Sequence, residues 1–137
     1  MAQLIRLEVV TPEKFVVSED TEIVMAPGSL GQFGVLPNHT PFLTSLKVGS
    51  IIYRDGKGKP HVVFVSGGFA EVLPDRVTVL AESAERRRDI DIDRARAALE
   101  RAQKRLAAAK TESINFDRAQ AALYRALERI RAFETRN

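Results

Sequence analysis

The sequence predicts a β-sandwich of about ten short strands followed by an antiparallel two-helix hairpin. All six prolines and all eight glycines lie between Pro12 and Pro74, and the last valine is Val79. From there to Asn137 the chain is rich in Ala, Arg and Leu, with apolar residues at helical spacing. Proline and glycine punctuate turns, and β-branched residues favour strands, so the change in composition marks a change of fold class. The expected division is a β domain over residues 1–85 and a helical arm over residues 86–137.

Each element follows from local pattern. Gln3–Val10 alternates apolar and polar residues and stops at Thr11-Pro12-Glu13-Lys14, a turn with Pro at its second position. Lys14–Val17 and Thr21–Met25 read as two further short strands. Ala26–Gly31 and Leu36–Pro41 are dense loop signals flanking a strand at Gln32–Val35. Phe42–Leu46 and Ser50–Arg54 follow around Gly49, and Asp55–Pro60 is the clearest hairpin tip. His61–Val65 reads as a buried strand broken at Ser66-Gly67-Gly68, after which Phe69–Leu73 and Arg76–Leu80 pair around Pro74-Asp75. Short strands with regular turn signals make a sandwich or barrel.

Glu82–Asp89 reads as a charged bridge to the arm. The first helix is expected to start near Asp91, with Asp89, Asp91 and Asp93 suited to capping and to the positive N-terminal dipole. Its apolar stripe is Ile92, Ala95, Leu99, Ala102, Leu106 and Ala109. Thr111–Asn115 is the expected turn, with Asn115 as N-cap, and the second helix repeats the stripe as Phe116, Ala119, Leu123, Ala126, Ile130 and Phe133. Two matching stripes joined by a short loop predict an αα-hairpin. The alternation of alanine with larger residues removes little apolar area from water, at about 25 cal/mol per Å². Such a hairpin is marginal alone and is expected to dock on the β domain or on a partner.

Composition narrows the function. The chain has no cysteine and only two histidines, His39 and His61, far apart, which excludes a thiolate metal site and leaves poor material for zinc. Met1–Val10 lacks the apolar core of a signal peptide, and no stretch approaches the roughly 18 apolar residues of a membrane span. The net charge of +3 hides an asymmetry: residues 1–85 hold 7 basic and 10 acidic side chains, residues 86–137 hold 14 basic and 8 acidic ones. The arm is therefore expected to meet something anionic: nucleic acid, nucleotide or an acidic protein surface.

Helical projection locates the charge. Arg94, Arg101 and Arg105 fall roughly 90–130° to one side of the first seam, and Arg118, Arg125 and Arg129 fall at the same offset on the second helix. In an antiparallel pair these flanks coincide, so one edge carries six arginines; the other is mixed, with Asp93, Glu100, Lys104, Tyr124 and Glu128. The turn brings Arg125 and Arg129 opposite Arg94 and the start of the first helix. Free backbone N–H groups, the helix dipole and guanidinium forks there suit a phosphate. Asp91 and Glu85 would stand beside it as acceptors for ribose hydroxyls or an adenine amino group. An arginine edge that grips an acidic protein helix is the competing reading, and a nucleic-acid-binding module using the basic hairpin is the alternative from another class. The lack of interleaved aromatics and the acidic N-terminal half argue against the latter.

Catalysis is not expected. Gly67-Gly68 lacks the Lys-Ser/Thr of a phosphate loop, and Ser66-Gly67-Gly68 is not a nucleophile elbow. His39 reads as a loop hydrogen-bonder and His61 as structural. Leu30, Phe33, Val35, Leu36 and Phe42 are expected to close the sandwich, with some free to form an exposed contact patch.

Three motifs carry a resemblance. Gly31-Gln32-Phe33-Gly34-Val35-Leu36-Pro37-Asn38-His39-Thr40-Pro41 is similar to a G-E-L-G-I-L-P-G-H-x-P signature. Val65-Ser66-Gly67-Gly68-Phe69-Ala70-Glu71-Val72 is similar to a V-S-G-G-F-x-E-V strand, and Ile90-Asp91-Ile92-Asp93-Arg94-Ala95 to an I/L-D-x-x-R-A helix start. In this order, over essentially the whole chain, the sequence resembles the epsilon subunit of the F-type ATP synthase. The resemblance implies a non-catalytic, peripheral rotor subunit of a proton-translocating complex on the cytoplasmic face of the bacterial inner membrane. It implies a ten-stranded sandwich at the foot of the central stalk, against the gamma subunit and the membrane rotor ring of c subunits. The hairpin would lie folded on the sandwich, or extend along gamma toward the catalytic alpha and beta subunits and block ATP hydrolysis.

By the same resemblance, no cofactor is required, and ATP is a regulatory ligand held by Glu85, Ile90, Asp91, Arg94, Ala95, Arg125 and Arg129. Gly31, Gln32, Phe33 and His39 fall on the ring and gamma contact, and Arg101, Arg105 and Arg118 on the inhibitory basic edge. Gln32 stands where many relatives carry Glu, and Asn38 replaces a common Gly. Arg86-Arg87-Arg88 is an unusually basic linker, expected to bias the arm toward its extended state.

Overall fold

The computed structural model describes residues 3–109 and 115–135. Nine strands precede two helices: β1 (Ile5–Val10), β2 (Phe15–Gly28), β3 (Gly31–Val35), β4 (Phe42–Ser45), β5 (Gly49–Asp55), β6 (Pro60–Ser66), β7 (Phe69–Val72), β8 (Arg76–Leu80), β9 (Ser83–Arg86), α1 (Ile92–Ala108) and α2 (Phe116–Glu134). The strands form one continuous ladder in the order β4-β7-β8-β1-β2-β5-β6-β9, with β3 branching from β2. All pairs are antiparallel except β1 with β8.

The long strand β2 lets one ladder make two layers. Its first half pairs with β1, its second with β5 and β3, and the change of partner falls at a bulge between Thr21 and Ile23. The inner faces enclose a core of Ile5, Leu7, Val9, Val17, Val24, Ile51, Tyr53, Val63, Val65, Val77 and Val79. Thr21 is buried within it and donates its hydroxyl to the Ile5 carbonyl at 2.8 Å, which removes the cost of an unsatisfied group.

Three local expectations change. Ser18-Glu19-Asp20 does not divide two strands, because Arg6 on β1 holds Ser18 at 2.8 Å and Asp20 at 3.3 Å across the polar face. The loop expected at Ala26–Gly31 shrinks to Ser29-Leu30, with Gly28 so close to the Gly31 carbonyl that an added Cβ would sit 2.7 Å from it. The charged bridge at Glu82–Asp89 is instead β9, paired with β6, followed by a single 3-10 turn at Arg87–Asp89.

The helices behave much as their pattern requires. Asp91 caps α1 through Arg94 N at 3.0 Å, and Asn115 caps α2 through Arg118 N at 3.1 Å. The expected turn residues 111–114 lie outside the described residues. Ala95 and Ala102 of α1, and Ala119 and Ala126 of α2, are the buried seam positions. The ends of the stripe differ from expectation: Phe116 is exposed, and Phe133 leaves the seam to pack with Val62, Phe64, Ile90 and Ala132. That second cluster docks α2 on the outer face of β6. It also explains why the run Val62–Ser66 is buried at every position, since β6 has core on one side and helix on the other. No described helix is long and apolar enough to cross a membrane.

Candidate functional site

A cleft of about 460 Å³ opens where the arm meets the sandwich. The sandwich side supplies Lys14 from the turn before β2, Glu85 from β9 and Asp89 from the 3-10 turn. The arm supplies Asp91, Arg94, Ala95, Ala98 and Arg101 from the start of α1, and Arg129 from α2. Opposed charges therefore line it: four cations, three carboxylates and the N-terminus of a helix.

One pair holds the walls together. Arg129 donates Nε to Glu85 Oε1 at 2.8 Å, and its guanidinium lies 4.5 Å from the centroid of the Phe64 ring. Both charged side chains are about three-tenths exposed, so the pair is screened only in part. This contact spans 44 residues and pins α2 to β9 and β6. The side chains of Lys14, Arg94 and Arg101 make no ion pair among the described residues and remain available to an anion. The Asp91 carboxylate spends one oxygen on the α1 cap.

Five of the seven residues expected to hold ATP line this cleft: Glu85, Asp91, Arg94, Ala95 and Arg129. Two do not. Ile90 is buried beneath α2 in the apolar cluster, where it anchors the start of the arm. Arg125 stands one turn before Arg129 on the same helix face but does not line the cleft. Lys14 and Asp89 are cleft residues that local pattern does not point to, and Arg101, expected on the basic edge rather than among the ATP ligands, lines the cleft as well. Lys14 is distant in sequence and carries no motif, and it comes near the arm because the start of β2 lies against β9, where Arg86 Nε donates to the Val16 carbonyl at 2.9 Å.

Arg105 and Arg118 meet at the far end of the hairpin, where they line a smaller recess with Asn115 and Ala119. Of the six-arginine edge, Arg94, Arg101 and Arg129 thus gather at the larger cleft, Arg105 and Arg118 at the far recess, and Arg125 lines neither. At the larger cleft the edge is not purely basic, because Glu85, Asp89 and Asp91 stand among its arginines.

The residues expected at the ring and gamma contact lie elsewhere, on the sandwich. Gly31, Gln32 and Phe33 belong to β3, a short strand paired with β2 alone, and His39 follows in the loop, its Nδ1 2.6 Å from the Thr40 carbonyl. Of the apolar residues expected to close the sandwich, Val35 is buried and Phe33 packs half-buried, edge-on to Phe42 at 5.4 Å. Leu30 is fully exposed at the β2–β3 tip, and Leu36, Phe42, Leu43 and Phe69 are exposed as well. Among the described residues no group of three or more His, Asp or Glu is placed to hold a metal.

Comparison with known proteins places this architecture. Residues 4–87 match the family model of the ATP synthase delta/epsilon chain beta-sandwich domain, and residues 88–134 match that of its long alpha-helix domain. The chain is 70% identical over 106 residues to an ATP synthase epsilon chain of Desulfosudis oleivorans, covering 77% of this chain and 80% of that one. It is 60% identical over 110 residues to the epsilon chain of Nitratidesulfovibrio vulgaris, covering 80% and 81%. Among solved structures it is similar to a chain of the Euglena gracilis mitochondrial ATP synthase, with a TM-score of 0.79 and 25% identity over 93% of this chain and 79% of that chain. A chain of the Tetrahymena thermophila mitochondrial ATP synthase central stalk shares the fold, with a TM-score of 0.57 and 14% identity over 96% and 94% of the two chains. From its two domain matches and these relatives, the chain belongs to the delta/epsilon family of F-type ATP synthase subunits, as one of its non-catalytic epsilon chains.

Proposed function

We propose that the sandwich couples the gamma subunit to the membrane rotor ring, and that the arm is a nucleotide-sensitive brake on ATP hydrolysis. The observation that carries the regulatory half is that the cleft has walls from both domains. Lys14 and Glu85 come from the sandwich, Arg94 and Arg101 from α1, and Arg129 from α2. A ligand that touches all three parts binds only the folded arm, and so must favour it by its differential affinity. ATP suits the cleft: Lys14, Arg94 and Arg101 would receive phosphates near the α1 N-terminus, with Asp91 and Glu85 as acceptors for sugar or base. When the arm extends, Arg101, Arg105, Arg118 and Arg125 would face acidic segments of the alpha and beta subunits. The exposed apolar group around Leu30, Leu36, Phe42, Leu43 and Phe69, with Gly31, Gln32, Phe33 and His39 nearby, supports the contact with gamma and the c ring. The complex would sit on the cytoplasmic face of the bacterial inner membrane.

Calorimetry of ATP binding to the intact chain tests the site. Arg94→Ala should weaken binding at least tenfold, and Arg125→Ala should weaken it less, because Arg125 does not line the cleft. Unchanged ATP affinity in Arg94→Ala would sink the assignment. The brake is tested in the assembled enzyme with this chain truncated after Asp89: hydrolysis should rise, and an unchanged rate leaves coupling as the sole role.

A further inference from the structure

A second cleft, with no residue in common with the first, lies at the end of β9, where the strand passes into the 3-10 turn. Glu85 lines the first cleft and the next residue, Arg86, lines the second. Lys59, Arg86, Arg87 and Arg88 line this cavity of about 390 Å³, with Val62 and Phe133 as apolar walls. No carboxylate lines it. The neighbouring acids are already committed: Asp55 to His61 at 2.9 Å, Glu19 to the Tyr53 hydroxyl, and Glu134 to Arg96 at 3.9 Å.

The arginine triplet is therefore not a loose linker. Arg86 donates Nε to the Val16 carbonyl at 2.9 Å and a terminal amine to the Tyr53 hydroxyl at 3.2 Å. Arg87 donates Nε to the Phe133 carbonyl at 3.0 Å, which covers the negative end of α2 and ties it to the sandwich. That bond favours the folded arm, the opposite of the bias expected from the triplet's charge. The side chains of Lys59 and Arg88 make no ion pair among the described residues. Four cations around a concave, partly apolar space repel one another until an anion is placed between them.

We propose that this cleft is a second anion site, distinct from the ATP cleft, which takes a phosphate-bearing group and holds the last turn of α2 against the sandwich. Lys59 and Arg88 grip the phosphate oxygens, Arg86 and Arg87 supply field while keeping their present bonds, and Phe133 covers the apolar part of the ligand. The phosphate has two possible carriers, a soluble oligophosphate or a phospholipid headgroup. Because Phe133 belongs to the arm, occupancy adds to the stability of the folded state in proportion to binding.

The test is titration of the intact, isotope-labelled chain with pyrophosphate, and separately with vesicles of anionic or zwitterionic phospholipid, reading the amides of Arg88 and Phe133. Saturable shifts with pyrophosphate assign a soluble phosphate; a response to anionic vesicles alone assigns a lipid headgroup. Lys59→Ala with Arg88→Ala, both at exposed positions, should weaken the response about a hundredfold, whereas Arg94→Ala should leave it unchanged. No response to either probe, a response that survives the double substitution, or one that disappears in Arg94→Ala overturns the proposal. The last outcome would return the anion to the first cleft, so the two sites fail separately.

Discussion

Replacing Arg129 with alanine should loosen the arm without unfolding the sandwich. The side chain makes two contacts that cross the domain boundary, an ion pair to Glu85 at 2.8 Å and a face-on approach to Phe64 at 4.5 Å. A cation over an aromatic ring at a partly covered site contributes about 0.5–1 kcal/mol. The charge-assisted bond adds a similar amount, discounted because both partners are about three-tenths exposed. The sum is about 1–2 kcal/mol, a shift of roughly 5–30-fold in the docked-to-undocked equilibrium. Hydrogen exchange at the α2 amides around Leu127–Phe133 reads this directly, since local opening sets their rates. They should exchange roughly 5–30-fold faster in Arg129→Ala, while β1 and β8 amides keep their protection. A double-mutant cycle with Glu85→Gln should return a coupling of about 0.5–1 kcal/mol, the pair's share. Exchange within a factor of about two of the native chain, or strict additivity in the cycle, would refute this account of how the arm is held.

Two further predictions concern the sandwich. Gly68 turns the chain from β6 to β7 at φ +110°, and a Cβ there would stand 2.1 Å from the Leu80 carbonyl oxygen. Gly68→Ala should cost roughly 3 kcal/mol or more, read by thermal or denaturant unfolding; a loss below about 1 kcal/mol would show that the corner relaxes freely. Asp55 accepts from His61 and from the Lys59 and Lys57 backbone N–H groups, which lower its carboxyl from 3.8 to about 2. A lowered carboxyl stabilises the fold above its unfolded value, so this contribution is complete above about pH 4 and fades as pH falls toward 2. The unfolding midpoint should drop across that window in the native chain and less steeply in Asp55→Asn, and parallel curves would contradict the assignment.

The candidate site divides by the range of its causes. Asp91 was legible because an N-cap is a bond over three residues, and Ala95 because small residues repeat along a helical stripe. Arg94, Arg101 and Arg129 were legible as an edge, since helical period alone sets which face they share. The partition within that edge was not. Whether Arg125 or Arg129 reaches Glu85 depends on where along its axis α2 stops when Ala132 and Phe133 seat on Val62 and Phe64, because residues one turn apart share a face and differ in height. Lys14 and Asp89 enter the cleft through strand order and a 3-10 turn, neither of which leaves a local signature.

The change from strands to helices, both helix caps, the Asp55–Pro60 hairpin and the alanine stripe are legible in the chain's local pattern, because each shows within a few residues or one helical period. Three features arise from long-range packing instead: β2 runs unbroken through Ser18-Glu19-Asp20, the charged segment after Glu82 becomes β9, and Arg87 clasps the end of α2. Each is a contact across 12 to 46 residues, from Arg6 to Ser18 up to Arg87 to Phe133. Local propensity opposes or ignores such contacts, and only the closing of the sandwich and the docking of the arm bring the partners within reach.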